Sequence, residues 1–156
     1  MKHKWNDRTS MRQNLQETMP RLVREYFKAG RKAMKPKTTW DEMHDFRLLT
    51  KRFRYTLELF RPVYGPGLDR RLESLRKLQQ FLGEINDSVT AQGLIRKMEG
   101  LEEMRESLAR RAEKKTAELR DYWPETFDKA GEMERWIDYL VRFADRPRRA
   151  STVQRL

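Results

Sequence analysis

Cysteine is absent from all 156 residues, which excludes a disulfide scaffold, a thiolate metal site, an iron–sulfur cluster and a cysteine nucleophile. Histidine occurs only as His3 and His44, too few for a histidine-rich zinc site, so no metal and no cofactor is expected. Long apolar runs are missing and the mean hydropathy is −1.00, so no membrane span is predicted. Met1 to Trp5 lead into no apolar stretch, so no signal peptide is predicted and a cytoplasmic setting is the expectation. Glycine (7) and proline (6) are scarce and gather at a few breakpoints. No segment alternates with period two, which argues against a sheet.

What the sequence has in abundance is positive charge. Lys and Arg number 35 against 24 Asp and Glu, a net charge of +11. Such a surplus favours polyanionic partners by Coulomb attraction and counterion release: nucleic acid, an anionic surface or inorganic polyphosphate. Composition does not choose among them, and any single cation also serves to solvate a helix surface. The length predicts one domain, taken as residues 1–146. Residues 147–156 carry Pro147, Arg148 and Arg149 with no apolar pattern and are predicted to be a disordered basic tail.

Between breakpoints the chain is rich in Leu, Met, Arg, Glu, Lys and Gln, which lose little rotamer freedom in a helix. A first helix is predicted from about Ser10 to Met34, kinked or restarted at Pro20. Its apolar stripe is Leu15, Met19, Leu22, Val23, Tyr26 and Phe27, followed by a basic end of Lys28, Arg31, Lys32 and Lys35. Thr39-Trp40-Asp41-Glu42 reads as a capping box opening a second helix that runs to about Arg61 and stops at Pro62, roughly 33 Å long. A third helix starts near Leu68 with Leu72, Leu75, Leu78 and Leu82 as core. It is expected to break or kink at Gly83 and Asn86-Asp87-Ser88, with Asp87 capping the continuation. A fourth runs from about Gly100 past Leu119, and Trp123-Pro124 separates it from a last amphipathic piece ending near Ala144. The fold class is therefore all-α, an antiparallel four-helix-bundle-like domain with kinked helices.

The second helix carries the informative pattern. At 100° per residue, Phe46, Leu49, Phe53, Leu57 and Phe60 share one face. His44, Arg47, Lys51, Arg54, Tyr55 and Glu58 form a stripe on the other side, spanning roughly 15 Å from His44 to Arg54. A row built for solubility would interleave opposite charges at i,i+4, yet Arg47 and Lys51 repel at that spacing. Anion binding and a plain solvated face both remain open on periodicity alone.

Residues 44–60, HDFRLLTKRFRYTLELF, resemble the signature of the CHAD family, the conserved histidine α-helical domain: H-x-x-R-x-x-x-[KR]-[KR]-x-R followed by an apolar stretch. Residues 78–87, LQQFLGEIND, are similar to the family's L-Q-x-x-L-G-x-x-[RN]-D segment, in the same order and spacing. The resemblance extends over about Thr9 to Ala144. It implies an all-helical fold and non-catalytic binding of inorganic polyphosphate through a basic groove, with association with polyphosphate granules as a further implication. By motif position, His44, Arg47, Lys51, Arg52 and Arg54 are the implied polyphosphate-binding residues. Asp87 is the implied acidic position, either orienting the basic row or touching ligand. Tyr55 stands beside the row. Lys28, Arg31 and Lys32 from the first helix, and Arg76 and Lys77 from the third, are added by charge and expected neighbourhood. A typical member carries two such bundles related by a pseudo-twofold axis, whereas the histidine motif occurs once in these 156 residues. One half of the usual fold is thus expected, and a C₂ homodimer would restore the missing symmetry.

The chemistry of the row suits a base-free phosphate polymer: Arg grips oxygens in pairs, Lys supplies a point charge and His44 a switchable donor. Two other readings stay open, a nucleic-acid binder and a scaffold for an acidic protein segment. Against the first, Trp40, Phe46, Phe53 and Phe60 fall where a core needs them and no helix-turn-helix or zinc-finger spacing occurs. An enzyme is not expected, since no Gly-rich phosphate loop or nucleophile elbow is present and His44 and Glu58 stand about four turns apart.

Overall fold

The computed structural model describes residues 5–144, so the tail expected at 147–156 lies outside the described residues. In chain order the helices are α1 (Met11–Ala33), α2 (Trp40–Leu59), α3 (Arg61–Tyr64), α4 (Asp69–Ile95), α5 (Glu102–Thr126) and α6 (Glu132–Arg142). No strand occurs among the described residues. α1 packs against α2 and α6, α2 also against α4, and α4 also against α5. Tyr64, at the end of the short α3, and Leu68 close one end of the core.

The ends of α2 follow local chemistry. The Thr39 side chain accepts from the Glu42 amide while the Glu42 carboxylate accepts from the Thr39 amide, so the capping box forms as the sequence implies. Such a cap contributes about 1 kcal/mol. That amide and the Lys32 ammonium also hold the Glu42 carboxyl below the usual carboxylate range. Pro62 does not simply stop the chain: it occupies the first turn of α3, where its missing amide proton would have had no partner anyway.

Three expected interruptions are absent. Pro20 lies inside a continuous α1, although its ring removes one backbone bond. The flanking stripe of Leu15, Met19, Val23, Tyr26 and Phe27 is fully buried, and each such side chain contributes about 1.5–3 kcal/mol. That sum outweighs the roughly 3 kcal/mol of an internal proline. Likewise α4 runs unbroken through Gly83 and 86–88, because Leu82, Ile85 and Ser88 continue its buried face. Asp87 is therefore mid-helix and caps nothing. Pro124 falls within the last turn of α5, and the real break comes at 127–131, where Gly131 adopts φ 75° before α6.

The core is aromatic at its centre. Tyr26 stacks on Phe53 at 4.3 Å and on Phe46 at 5.6 Å, and meets Trp123 edge-on at 6.1 Å. Trp123 in turn stacks on Phe127 at 4.8 Å, and Trp136 packs on Phe53 at 6.0 Å. Burial pushes the Tyr26 phenol well above its ordinary value. The Thr50 hydroxyl spends its proton on the Phe46 carbonyl at 2.9 Å, so Tyr26 donates to Thr50 across 3.1 Å. A polar pair thus sits satisfied inside the core, on the face where the sequence pattern alone gave only apolar residues.

Candidate functional site

α2 and α4 run antiparallel, and three polar pairs fix their register. His44 Nδ1 meets Asn86 Oδ1 at 2.8 Å, Arg54 Nε donates to Gln79 Oε1 at 2.7 Å, and Arg76 Nη2 donates to Glu58 Oε1 at 3.1 Å. An amide oxygen only accepts, so Nδ1 of His44 carries the proton and Nε2 remains for a second one. On α4, Gly83 follows Gln79 by four residues and precedes Asn86 by three, so it shares the face turned to α2. A Cβ at Gly83 would meet nothing within 4 Å. Across from it, between His44 and Arg54, lie Arg47 and Lys51.

The cations along this seam fall into two groups. Arg54 and Arg76 converge on the Glu58 carboxylate, at 2.5 and 3.1 Å, and the Arg54 side chain is only 15% exposed. This hydrogen-bonded pair raises the Arg76 guanidinium above its ordinary value. Arg47 and Lys51 have no carboxylate partner among the described residues, and Arg47 Nε is buried without any hydrogen-bond partner. Tyr55 is 47% exposed, with the Arg54 guanidinium 4.5 Å and the Lys51 ammonium 5.8 Å from its ring. The row is therefore not offered outward from the face opposite the core, as the helical wheel suggested. It leans over the α2–α4 seam, with its lower end neutralised by Glu58 and its upper end free.

Other expected members lie elsewhere. Arg52 is exposed on the α1 side of α2, where it shares a shallow cleft with Lys32, Glu42 and Asp45. Lys32 is paired with Glu42 at 3.2 Å and Arg31 with Asp128 at 2.7 Å. Lys28 is exposed on α1 and makes no ion pair among the described residues. Lys77 turns to α5, 5.1 Å from the Tyr122 ring. Asp87 is exposed and bonds to no described residue. The side chain that orients His44 is its neighbour Asn86. The sequence carries a signal for Asn86, which occupies the [RN] position of the second motif next to Asp87.

Beside His44 a cavity of about 350 Å³ opens between the N-terminal end of α2 and the later half of α4. Trp40, Met43, Leu82, Ile85 and Val89 wall it, with Asp41 and His44 at the polar side. Trp40, expected in the core, is 42% exposed, because the first residue of a helix projects beyond the bundle. Among the described residues no cluster of three His, Asp or Glu side chains is placed to hold a metal ion. No helix of the described residues is long and apolar enough to cross a membrane.

No curated protein and no solved structure matches the chain. A family model described as the CHAD domain matches residues 2–96, which holds both sequence motifs and the whole α2–α4 seam. α5 and α6 lie beyond the match, yet Trp123, Phe127 and Trp136 from that part complete the same core. Because the match covers more than half of the 156 residues, the chain belongs to the CHAD family of helical domains.

Proposed function

We propose that this protein binds inorganic polyphosphate along the α2–α4 seam and performs no chemistry on it. The observation that carries this reading is the pair Arg47 and Lys51, side by side and without a carboxylate, facing a helix that presents Gly83 there. A cation left partly desolvated and unpaired costs free energy, which a phosphate chain in the open strip would recover. Along this strip four cations (Arg47, Lys51, Arg54, Arg76) face two carboxylates, Glu58 and Glu73, both at its lower end. Glu58 holds Arg54 and Arg76 in fixed positions, so less ordering is required on binding. Arg52 and Lys28, exposed on the α1 side, extend the positive field without joining the seam. Pairing of two chains as a C₂ homodimer would place two such seams in one assembly.

Competition tests the reading. Long-chain polyphosphate displaces a labelled RNA from the protein, and the same mass of RNA fails to displace labelled polyphosphate, at two salt concentrations with the oligomeric state recorded by sedimentation. The opposite order of displacement points to nucleic acid, and displacement of both by an acidic peptide points to a protein segment.

His44 gives a second test. Protonating Nε2 adds a cation at the upper end of the row, next to Arg47 and with Asp41 nearby in the adjoining cavity. His44→Gln, which retains a donor toward Asn86 but cannot carry a positive charge, is therefore expected to weaken polyphosphate binding several-fold in the same competition assay. An unchanged affinity in the variant removes His44 from the binding step.

A further inference from the structure

A second cationic cavity lies on the other flank of α4. Arg76, Gln79 and Asn86 face α2, whereas Arg71 near the start of α4 faces α6: its Nη2 donates to the Arg135 carbonyl at 3.2 Å. Its guanidinium lies 4.1 Å from the Tyr139 ring and 5.6 Å from the Trp136 ring. The cavity, of about 460 Å³, is bounded by Arg70, Arg71, Glu125, Lys129, Glu132 and Arg135. Arg135 is neutralised by Glu132 at 2.7 Å. Arg70, Arg71 and Lys129 have no ion-pair partner among the described residues; Glu125 opposes them, and Glu132, already bound to Arg135, acts on Arg71 only from a distance.

Arg71 is the anomaly. It is half-buried between two aromatic rings, its Nε is buried without a hydrogen-bond partner, and no carboxylate pairs with it directly. Burial lowers its guanidinium below the ordinary value, and the Tyr139 phenol and the Glu132 carboxylate offset that only in part. A buried guanidinium is normally paired, because stripping its hydration costs several kcal/mol. Aromatic faces return only about 0.5–2 kcal/mol of that. What is missing is an anion.

We propose that this cavity is a binding site for a small dianionic phosphate, separate from the α2–α4 seam. The charge surplus sets the class: four cations against two carboxylates leave two positive charges for the ligand. Arg71 supplies the planar fork, and Arg70 and Lys129 supply exposed point charges at the mouth. The volume falls within the range of small-molecule sites, roughly 300–1,000 Å³. The site needs no contact with the seam, so it stands or falls separately from polyphosphate binding there.

The test uses the full chain carrying Arg47→Glu and Lys51→Glu, so that the seam no longer attracts anions. Amide NMR spectra are followed during titration with inorganic phosphate and, separately, succinate. Saturable shifts are expected at Arg70, Arg71 and Lys129 with phosphate, and weaker binding of succinate. Adding Arg71→Gln weakens phosphate binding about tenfold or more, the size of a lost charge-assisted hydrogen bond. Lys129→Gln, an exposed change that leaves the core intact, weakens it several-fold and keeps the proposal testable should Arg71→Gln not fold. No saturable shift in this cavity, binding insensitive to Lys129→Gln, or succinate binding as tightly as phosphate each overturns the proposal.

Discussion

Arg47→Glu weakens polyphosphate binding by about two orders of magnitude at low salt, the range expected when one member of a close charge pair is reversed. Two effects add. The variant loses a guanidinium fork at the centre of the strip, and it sets a carboxylate against a polymer of like charge. Arg110→Glu is the control: Arg110 is an exposed α5 residue already 3.6 Å from Glu106 and outside the α2–α4 pairs, and its reversal changes affinity only a few-fold. Both variants change the net charge equally, so the contrast separates a local site from a general positive field. Salt supplies an independent readout. Binding to a flexible polyanion falls with salt at a slope of roughly 0.7 per neutralised phosphate, so Arg47→Glu also flattens the salt dependence while Arg110→Glu leaves it. Arg54 behaves differently from Arg47 despite an equivalent motif position. It is tied to Glu58 and Gln79, so Arg54→Gln disturbs the α2–α4 junction as well as the ligand. Equal losses for Arg47→Glu and Arg110→Glu contradict a localised seam.

Gly30→Ala destabilises the fold by about 2–3 kcal/mol net, with a fall in Tm of about 5–10 °C. Gly30 sits on α1 beneath the Trp123 indole, and a Cβ there would lie 2.0 Å from Cη2 and 2.2 Å from Cζ2. The ring has no room to retreat: it is 1% exposed, stacked on Phe127 at 4.8 Å and set against Phe46 at 5.7 Å. Alanine gains about 1 kcal/mol of helix propensity over glycine, which offsets only part of the overlap. Gly83→Ala has the opposite sign. It too lies inside a helix, but its Cβ would enter open space, so the propensity gain of about 1 kcal/mol is kept. Thermal melts of the two variants check both claims. Pairing Gly30→Ala with Trp123→Phe, which shortens the ring, should cost less than the sum of the single changes, since the two side chains share one space. A Gly30→Ala protein as stable as the parent would show that α1 and α5 do not approach so closely.

Much of this was legible in the linear pattern. The stripe Leu15, Met19, Val23, Tyr26, Phe27 and the leucines at 68, 72, 75, 78 and 82 are all buried, because period-3.6 spacing leaves such residues one way to leave water. The Thr39–Glu42 box was readable because capping uses residues three apart. Breakers are less telling. Pro20, Gly83, Pro124 and the Asn86-Asp87-Ser88 stretch predict interruptions from their local preferences, and burial along the faces of α1, α4 and α5 overrides them.

The order of residues by itself determined that the chain is helical, which faces are apolar, and that His44, Arg47, Lys51 and Arg54 stand in one row on α2. It could not decide what that row faces. Only the antiparallel packing of α4 on α2 brings Glu58 under both Arg54 and Arg76, sets Asn86 on His44, and leaves Arg47 and Lys51 opposite Gly83. The same packing sends Arg52 and Lys77 to other flanks and encloses Arg71 between Tyr139 and Trp136. The physical reason is one of range. Helical periodicity is set by neighbours within one or two turns, whereas the pairing of a charge depends on which distant segment the apolar faces bring within a few ångströms.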